Sequence, residues 1–151
     1  MSIRKVLLDT DTLSAVMKKH PLAFARAKAY LKMQRRFTFS IITRYEVLRG
    51  LKAKHAIVQL ADFERLCQTS RIIPLTDDIV IRAADIYAAL KQRGTLINDA
   101  DILIAASALE YELTVVTNNE AHFARIDGLN VANWLKAEQV SDKPPNEQLQ
   151  P

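Results

Sequence analysis

Short apolar runs alternate with longer amphipathic stretches along this chain. Residues 6–8 are apolar at every position and end at Asp9, which predicts a strand buried on both faces, as in a parallel sheet. Similar β-rich runs predict further strands over residues 37–41, 71–75, 113–117 and 129–132. Apolar spacing and turn signals predict helices ending near residue 19 and spanning 22–35, 43–50, 57–67, 77–91 and 99–109, with a short helix after residue 118. This alternation predicts an α/β fold, a three-layer α/β/α sandwich around a short parallel sheet.

The helix predicted over residues 99–109 is apolar on nearly every side. Its sequence, DADILIAASAL, begins with two carboxylates, Asp99 and Asp101, and continues with almost wholly apolar residues. We expect this helix to be buried nearly all round, with Asp99 as its N-cap and Asp101 in its first turn. Capping is the simpler explanation for one such carboxylate, because the free N–H groups and the helix dipole favour an acid there. A buried helix also holds its N-terminus rigidly, which suits a functional acid.

Length and composition indicate one globular domain. The 151 residues are enough to bury a substantial core, and the apolar and charged fractions, 49% and 25%, are ordinary for a folded protein. We expect the folded domain to cover residues 1–140. Residues 141–151, SDKPPNEQLQP, are almost devoid of apolar side chains, which predicts a disordered tail.

Cysteine and histidine usage excludes several kinds of site. Cys67 is the only cysteine, so no disulfide framework is predicted, and we expect it to be a small buried apolar residue. The histidines His20, His55 and His122 lack metal-ligand spacing. No apolar run approaches the ~20 residues of a membrane span, so we expect no membrane association and a cytoplasmic location.

The net charge of +4 conceals a strong asymmetry. Residues 1–54 carry 13 Lys or Arg and 3 Asp or Glu, a balance of +10, whereas residues 55–151 carry 8 and 14, a balance of −6. A basic N-terminal third favours a polyanionic partner such as nucleic acid, or an acidic protein surface. A solvated helix face would explain the charge equally well.

Acidic and amide side chains follow strands or begin helices at several points. Asp9 ends the first strand, Asp101 lies at the head of the buried helix, and Asn119 follows the strand over 113–117. Glu46 is part of Thr-x-x-Glu, a pattern typical of a capping box with Thr43. Capping would explain Glu46 or Asp9 taken alone. All of them belong at one edge of a parallel sheet, where grouped carboxylates need cations, and Mg²⁺ or Mn²⁺ prefers such oxygen ligands.

Four segments, LLDTDTLS, SIITRYEVLRG, DADILIAASAL and VVTNNEAHF, resemble in order and spacing the PIN-domain ribonucleases of the VapC toxin type. The resemblance covers residues 6–134. It implies a PIN-like fold and a Mg²⁺- or Mn²⁺-dependent endoribonuclease, the toxin of a toxin–antitoxin pair, that cleaves RNA phosphodiesters with a metal-activated water. It also implies a cognate antitoxin as partner, an RNA substrate, and a homodimer or a hetero-oligomer with the antitoxin.

The resemblance assigns roles to individual residues. It implies that Asp9, Glu46 and Asp101 are catalytic metal ligands, and that Thr117 and Asn119 form an auxiliary part of the site. Many members carry Asp where this chain has Asn119, so the number of metal ions, one or two, stays open. Asp99 is additional to this set, either as a support for the ligands or only as a cap.

Two other functions remain open on the sequence alone. Asp9-x-Asp11 after an apolar strand is similar to the motif of haloacid-dehalogenase-type phosphatases, in which Asp9 would be the nucleophile. Leu13 and the lack of a suitably placed Lys count against this reading. The second alternative function is that of a non-catalytic PIN-like module, which binds RNA or protein. Neither the RNA that is cleaved nor the antitoxin can be identified from these residues.

Overall fold

Short parallel strands form the centre of the fold in the computed structural model, which describes residues 4–137. The elements in chain order are β1 (Val6–Leu8), α1 (Thr10–Met17), α2 (Pro21–Gln34), β2 (Thr38–Ser40), α3 (Ile41–Ala53), α4 (Ile57–Gln68), β3 (Arg71–Ile73), α5 (Asp77–Gln92), α6 (Asp99–Glu110), β4 (Thr114–Val116), α7 (Glu120–Phe123) and β5 (Val131–Ala132). Every predicted strand is present; β1 has the predicted length, and the other four are shorter than their β-rich runs.

Two parallel ladders make up the sheet. β4 lies between β1 and β5, with Leu7 opposite Val115 and Val115 opposite Val131, and β2 pairs with β3, with Phe39 opposite Ile72. β1 and β2 are neighbours without a continuous hydrogen-bond ladder, so the strand order is β5-β4-β1-β2-β3. The carboxyl ends of all five strands therefore point to one edge, where the sequence predicts the acids.

Helices cover both faces of this sheet, which confirms the three-layer α/β/α prediction. Leu7 belongs to a core cluster with residues of α5 and α6, whereas Val6 and Leu8 belong to a second cluster with residues of α1, α2, α3 and α4. The alternation follows from the period of two along a strand. Among the described residues, no helix is long and apolar enough to cross a membrane.

Helix α3 begins earlier and ends later than its sequence predicts. Ser40, the last residue of β2, is its N-cap, and the Ser40 hydroxyl accepts the Ile42 N–H at 3.0 Å. The prediction of a capping box between Thr43 and Glu46 is wrong, because both residues lie inside the helix. The helix also continues past Gly50 to Ala53.

Helix α6 is buried as predicted but is capped by a different residue. The Asn98 Oδ1 accepts the Asp101 N–H at 2.8 Å, so Asn98 and not Asp99 is the N-cap. Asp99 is the first helical residue and is exposed. The predicted tail over 141–151 lies outside the described residues, and the domain boundary at residue 140 stays a prediction.

Candidate active site

Asp9 is a buried carboxylate at the carboxyl end of β1. Its side chain is only 6% exposed, because β1 is an inner strand and α1 starts at the next residue. Oδ1 accepts the Thr10 N–H at 2.8 Å, which caps α1, and Oδ2 accepts the Thr117 hydroxyl at 2.8 Å. Asp9 is therefore fixed by both β1 and the end of β4.

The surroundings of Asp9 favour its protonated form. Burial, as the largest cause, and the neighbouring charges of Asp11 and Asp101 together raise the pKa of Asp9 from 3.8 to about 7, against the lowering effect of the two hydrogen bonds. Three carboxyl groups are thus close enough to act on one another. A cation bound among them would offset both the cost of burying an ionised Asp9 and the repulsion between the carboxylates.

Asp11 joins this group, although the sequence assigns it no part in the ribonuclease site. Its Oδ2 accepts the Asn118 N–H at 3.0 Å and lies 3.5 Å from the Thr117 hydroxyl oxygen. Asp11 is exposed, one helical position beyond Thr10. Its place in a first helical turn, two residues after the buried acid, is the signal from which it could have been found.

Glu46 reaches the site through hydroxyl groups rather than through the predicted cap. The Thr10 hydroxyl donates to Glu46 Oε1 at 2.7 Å and contacts the Thr43 hydroxyl at 3.0 Å. Carboxylate oxygens accept hydrogen bonds, so the Thr10 hydroxyl donates to Glu46 and the Thr43 hydroxyl donates to the Thr10 oxygen. Thr10 follows Asp9 directly, so these hydrogen bonds connect Glu46 to the segment that carries Asp9.

Asp101 is held at the head of α6 by the residue that caps the helix. Besides accepting the Asp101 N–H, Asn98 places its Nδ2 at 3.2 Å from Asp101 Oδ2. Asp101 is 9% exposed and lies in the first helical turn, as predicted. The exposed Asp99 side chain makes no hydrogen bond or ion pair within residues 4–137. The prediction that Asp99 is the cap is therefore wrong.

His122 is a second residue that sequence reasoning missed. Its Nδ1 lies 3.2 Å from Asp101 Oδ2 and 2.7 Å from the side-chain amide of Asn119. The Asn119 N–H in turn donates to the Thr117 hydroxyl oxygen at 2.9 Å. Asn119 and His122 are three residues apart across the start of α7, a separation that places two side chains on one side of a helix. This spacing was the available signal.

The predicted residues thus lie at one edge of the sheet, where their side chains supply oxygen donors. Asp9, Asp101 and Glu46, with the polar groups of Thr117 and Asn119, are the donor types that Mg²⁺ and Mn²⁺ prefer. Burial is the main cause of the raised pKa of Asp9, and the charges of Asp11 and Asp101 add to it, so a divalent cation bound here would favour the ionised carboxylate. Among the described residues, no three His, Cys, Asp or Glu side chains form a ready-made cluster around one point.

Comparison with known proteins gives a consistent family. Residues 6–129 match the PIN domain. Ribonuclease VapC1 of Methanocaldococcus jannaschii is 34% identical over 122 residues, 81% of each chain. The tRNA(fMet)-specific endonuclease VapC of Salmonella typhimurium is 30% identical over 131 residues, 86% of this chain and 98% of the relative. The crystal structure of DNA-bound VapBC from Salmonella typhimurium superimposes with a TM-score of 0.77 and 28% identity, covering 87% of this chain and 99% of that chain.

The match to the PIN domain covers most of the chain, and the fold and the acidic edge agree with it. The resemblance found in the sequence is confirmed, and with it the fold class and the ribonuclease function. This chain belongs to the PIN-domain family, as an endoribonuclease of the VapC toxin type.

Proposed function

We propose that this endoribonuclease depends on Mg²⁺ or Mn²⁺ held by Asp9, Glu46 and Asp101, with Thr117 and Asn119 in supporting roles. The observation that supports this most strongly is the burial of Asp9 among other carboxyl groups, with its pKa raised to about 7. When bound, a divalent cation would neutralise these acids and polarise the scissile phosphate and an attacking water.

The side chains around the proposed metal ligands hold these carboxylates in position. Thr10 holds Glu46, Asn98 holds Asp101, and Thr117 holds Asp9, each through a hydrogen bond of 2.7 to 3.2 Å, and Thr43 supports Thr10 at 3.0 Å. In hydrolysis of a phosphodiester, water adds to phosphorus and the bond to one ribose oxygen breaks, with that oxygen taking a proton. Carboxylates fixed in advance lose little freedom when the substrate binds, which is how positioning lowers a barrier.

The partner of this toxin is proposed to be a cognate antitoxin, as in the VapBC complexes that the chain resembles. On the α1–α4 face lies a largely apolar groove of about 380 Å³. Val16, Phe24 and Leu31 line it, and Lys18 and Lys28 stand at its rim. An amphipathic antitoxin helix with acidic flanks fits this chemistry.

We also propose a homodimer, alone or within a hetero-oligomer with the antitoxin. The exposed apolar residues Val80 and Ile81 on α5, 48% and 54% exposed, provide an apolar surface for it. RNA and antitoxin would be met in the cytoplasm, which is where we place the protein.

The central test compares Asp101→Asn with Asp99→Asn. We expect Asp101→Asn to reduce cleavage of total transfer RNA in the presence of Mn²⁺ by about 100-fold or more, because it removes a proposed metal ligand. Asp99→Asn is the matched control, since Asp99 is exposed and outside the group, and it should cleave normally. Circular dichroism checks that both variants fold. Wild-type cleavage by Asp101→Asn would overturn the proposal.

Neither alternative from the sequence is favoured by the structure. The relatives that the chain matches are PIN-domain ribonucleases, which gives a phosphatase with Asp9 as nucleophile no support. A non-catalytic binding module would not need the buried acids. Calorimetric titration with Mn²⁺ separates the last case, because a pure binding module need not bind the ion.

A further inference from the structure

A cavity beside the acids is unused by the contacts described so far. It has a volume of about 430 Å³, lies between α3 and α6, and includes Glu46 and Asp101 in its wall. The rest of the wall is formed by Tyr45, Arg49, Asn98 and apolar side chains including Leu103. This volume is in the range of small-ligand sites, roughly 300–1,000 Å³. Anything bound here lies directly next to the proposed cleavage centre.

Tyr45 and Arg49 are both exposed and form a pair on the outer face of α3. Tyr45 is 59% exposed, unusual for an aromatic ring of this size in a folded domain. The Arg49 guanidinium lies 5.2 Å from the centre of the Tyr45 ring, and its NH2 atom lies 3.6 Å from Glu46 Oε2. Since the two residues are four positions apart, they stand side by side on the helix. One presents a flat apolar ring, the other a cation.

We infer that Tyr45 and Arg49 form a subsite for one unpaired RNA nucleotide next to the cleaved bond. The inference rests on the proposed function, since it takes the acids as the place of cleavage. The Tyr45 ring stacks on the base, while Arg49 contacts the adjoining phosphate. Leu103 supplies an apolar wall for the base edge. A base inside a duplex cannot expose its face to the ring, so the subsite selects a loop or single strand.

The exposed ring and the cation that Tyr45 and Arg49 present side by side favour an RNA occupant over a protein one. Beside Glu46 and Asp101, a bound phosphodiester needs positive charge to enter, and Arg49 is the cationic side chain in the cavity wall. An exposed Tyr beside an Arg is also the pairing that stacks with every base, because every base has a π face. A second copy of this chain packed on Tyr45 is the competing occupant, which the test must separate.

The test measures RNA binding by Tyr45 variants in the cleavage-deficient Asp101→Asn background. The probe is a fluorescein-labelled pool of 12-nucleotide single-stranded RNAs of random sequence, followed by anisotropy with Mg²⁺ present. We expect Tyr45→Ala to weaken binding about tenfold and Tyr45→Phe, which keeps the ring, less than about twofold. Arg49→Gln should weaken binding and reduce the salt dependence by about one counterion. The same RNA in a duplex should bind wild-type and Tyr45→Ala proteins equally.

The chain offers a matched control for the aromatic–cation pair. Tyr111 is 37% exposed and lies 4.8 Å from the Arg71 guanidinium, outside the cavity wall. Tyr111→Ala should leave RNA binding unchanged. If Tyr111→Ala and Tyr45→Ala weaken binding equally, the effect is not local and the inference is wrong.

Other outcomes decide between this subsite and its competitors. Unchanged RNA affinity in Tyr45→Ala overturns the inference, as does a loss accompanied by a change from dimer to monomer in analytical ultracentrifugation, which would assign Tyr45 to self-association. Equal losses in Tyr45→Phe and Tyr45→Ala would assign the effect to the hydroxyl and overturn stacking. The proposed function fails separately, if Asp101→Asn cleaves like wild type while the binding losses of Tyr45→Ala persist.

Discussion

At the scale of single residues, Asp9 combines a structural and a chemical role. Its Oδ1 caps α1, and its burial is set by its position at the end of the inner strand β1. A cap acceptor works best when ionised, whereas burial beside Asp11 and Asp101 opposes ionisation. Without a cation, the residue is therefore a source of instability at neutral pH. That conflict is expected at a functional site, where stability is given up for reactivity.

The first prediction concerns pH and stability without cations. The unfolded chain loses the Asp9 proton near pH 4, but the folded chain keeps it up to about pH 7. The folded state thus binds more protons in this window, so the free energy of unfolding falls as pH rises. The difference between the two pKa values, 3.8 and about 7, lowers the free energy of unfolding by about 4 kcal/mol across this pH window. Urea unfolding in EDTA between pH 4 and 8 measures it.

Asp9→Asn is the control for this pH effect. Asn cannot ionise, yet its amide can accept the Thr10 N–H and donate to the Thr117 hydroxyl oxygen. The variant should be more stable than wild type at pH 8 in EDTA and should gain nothing from added Mn²⁺, whereas wild type should be stabilised by Mn²⁺ more at pH 8 than at pH 5. A flat wild-type profile from pH 4 to 7 would contradict the assignment.

A second prediction concerns Thr10, which donates to Glu46. Thr10→Val keeps the shape but removes the hydroxyl, so Glu46 loses the group that fixes it. We expect about a tenfold lower kcat, which corresponds to about 1.4 kcal/mol, within the range for a hydrogen bond to a charged group. Thr10→Ser restores the hydroxyl and should restore most of the rate. Equal rates for Val and Ser would show that the hydroxyl does not position Glu46.

The sequence predicts some residues of the site and misses others for a physical reason. Asp9 and Asp101 were predictable because each sits where a strand ends or a helix begins. Asp11 and His122 carry only a weak spacing signal, because their roles depend on contacts between residues 107 and 21 positions apart, such as the Asn118 N–H that donates to Asp11. Strand-end position can be read from local patterns, but which neighbours then meet is decided by tertiary packing.

At the scale of elements, the helix starts at α3 and α6 show how a local motif can mislead. Thr43 and Glu46 have the spacing of a capping box, yet Ser40 caps α3 directly from the end of β2. No loop separates the strand from the helix, so the cap lies three residues earlier than the predicted one. The consequence is functional, because Thr43 and Glu46 are then free to face Thr10 from within α3. The helices themselves were predictable from apolar spacing, whereas their first residues were not.

A third prediction tests which residue caps α6. Asn98→Ala removes both the cap acceptor and the amide that contacts Asp101. We therefore expect the free energy of unfolding to fall by about 1–2 kcal/mol and RNA cleavage to slow. Asp99→Ala, one residue later and exposed, should change stability by less than about 0.5 kcal/mol. Thermal unfolding compares the two. A larger loss for Asp99→Ala than for Asn98→Ala would contradict the assignment of the cap.

At the scale of the whole molecule, the chain after β5 completes the second core cluster. Trp134 and Leu135 pack against that cluster, and the Trp134 ring lies 5.7 Å from Tyr30. The Tyr30 hydroxyl accepts the Val6 N–H at 3.1 Å, next to the strand that carries Asp9. The match to the PIN domain ends at residue 129, before these contacts. The folded unit therefore extends further than the family match.

The last prediction follows from this extension. Trp134→Ala should lower the free energy of unfolding by about 2 kcal/mol, since it removes part of an aromatic cluster under α2. Lys136→Ala, whose side chain is 66% exposed, is the control and should change it by less than about 0.5 kcal/mol. A chain ending at residue 140 should have the same free energy of unfolding as the full chain. A chain ending at residue 132 should be less stable than Trp134→Ala, because Arg26 also loses its hydrogen bond to the Asn133 carbonyl. Equal stability of the two truncated chains would place the domain boundary before Trp134 instead.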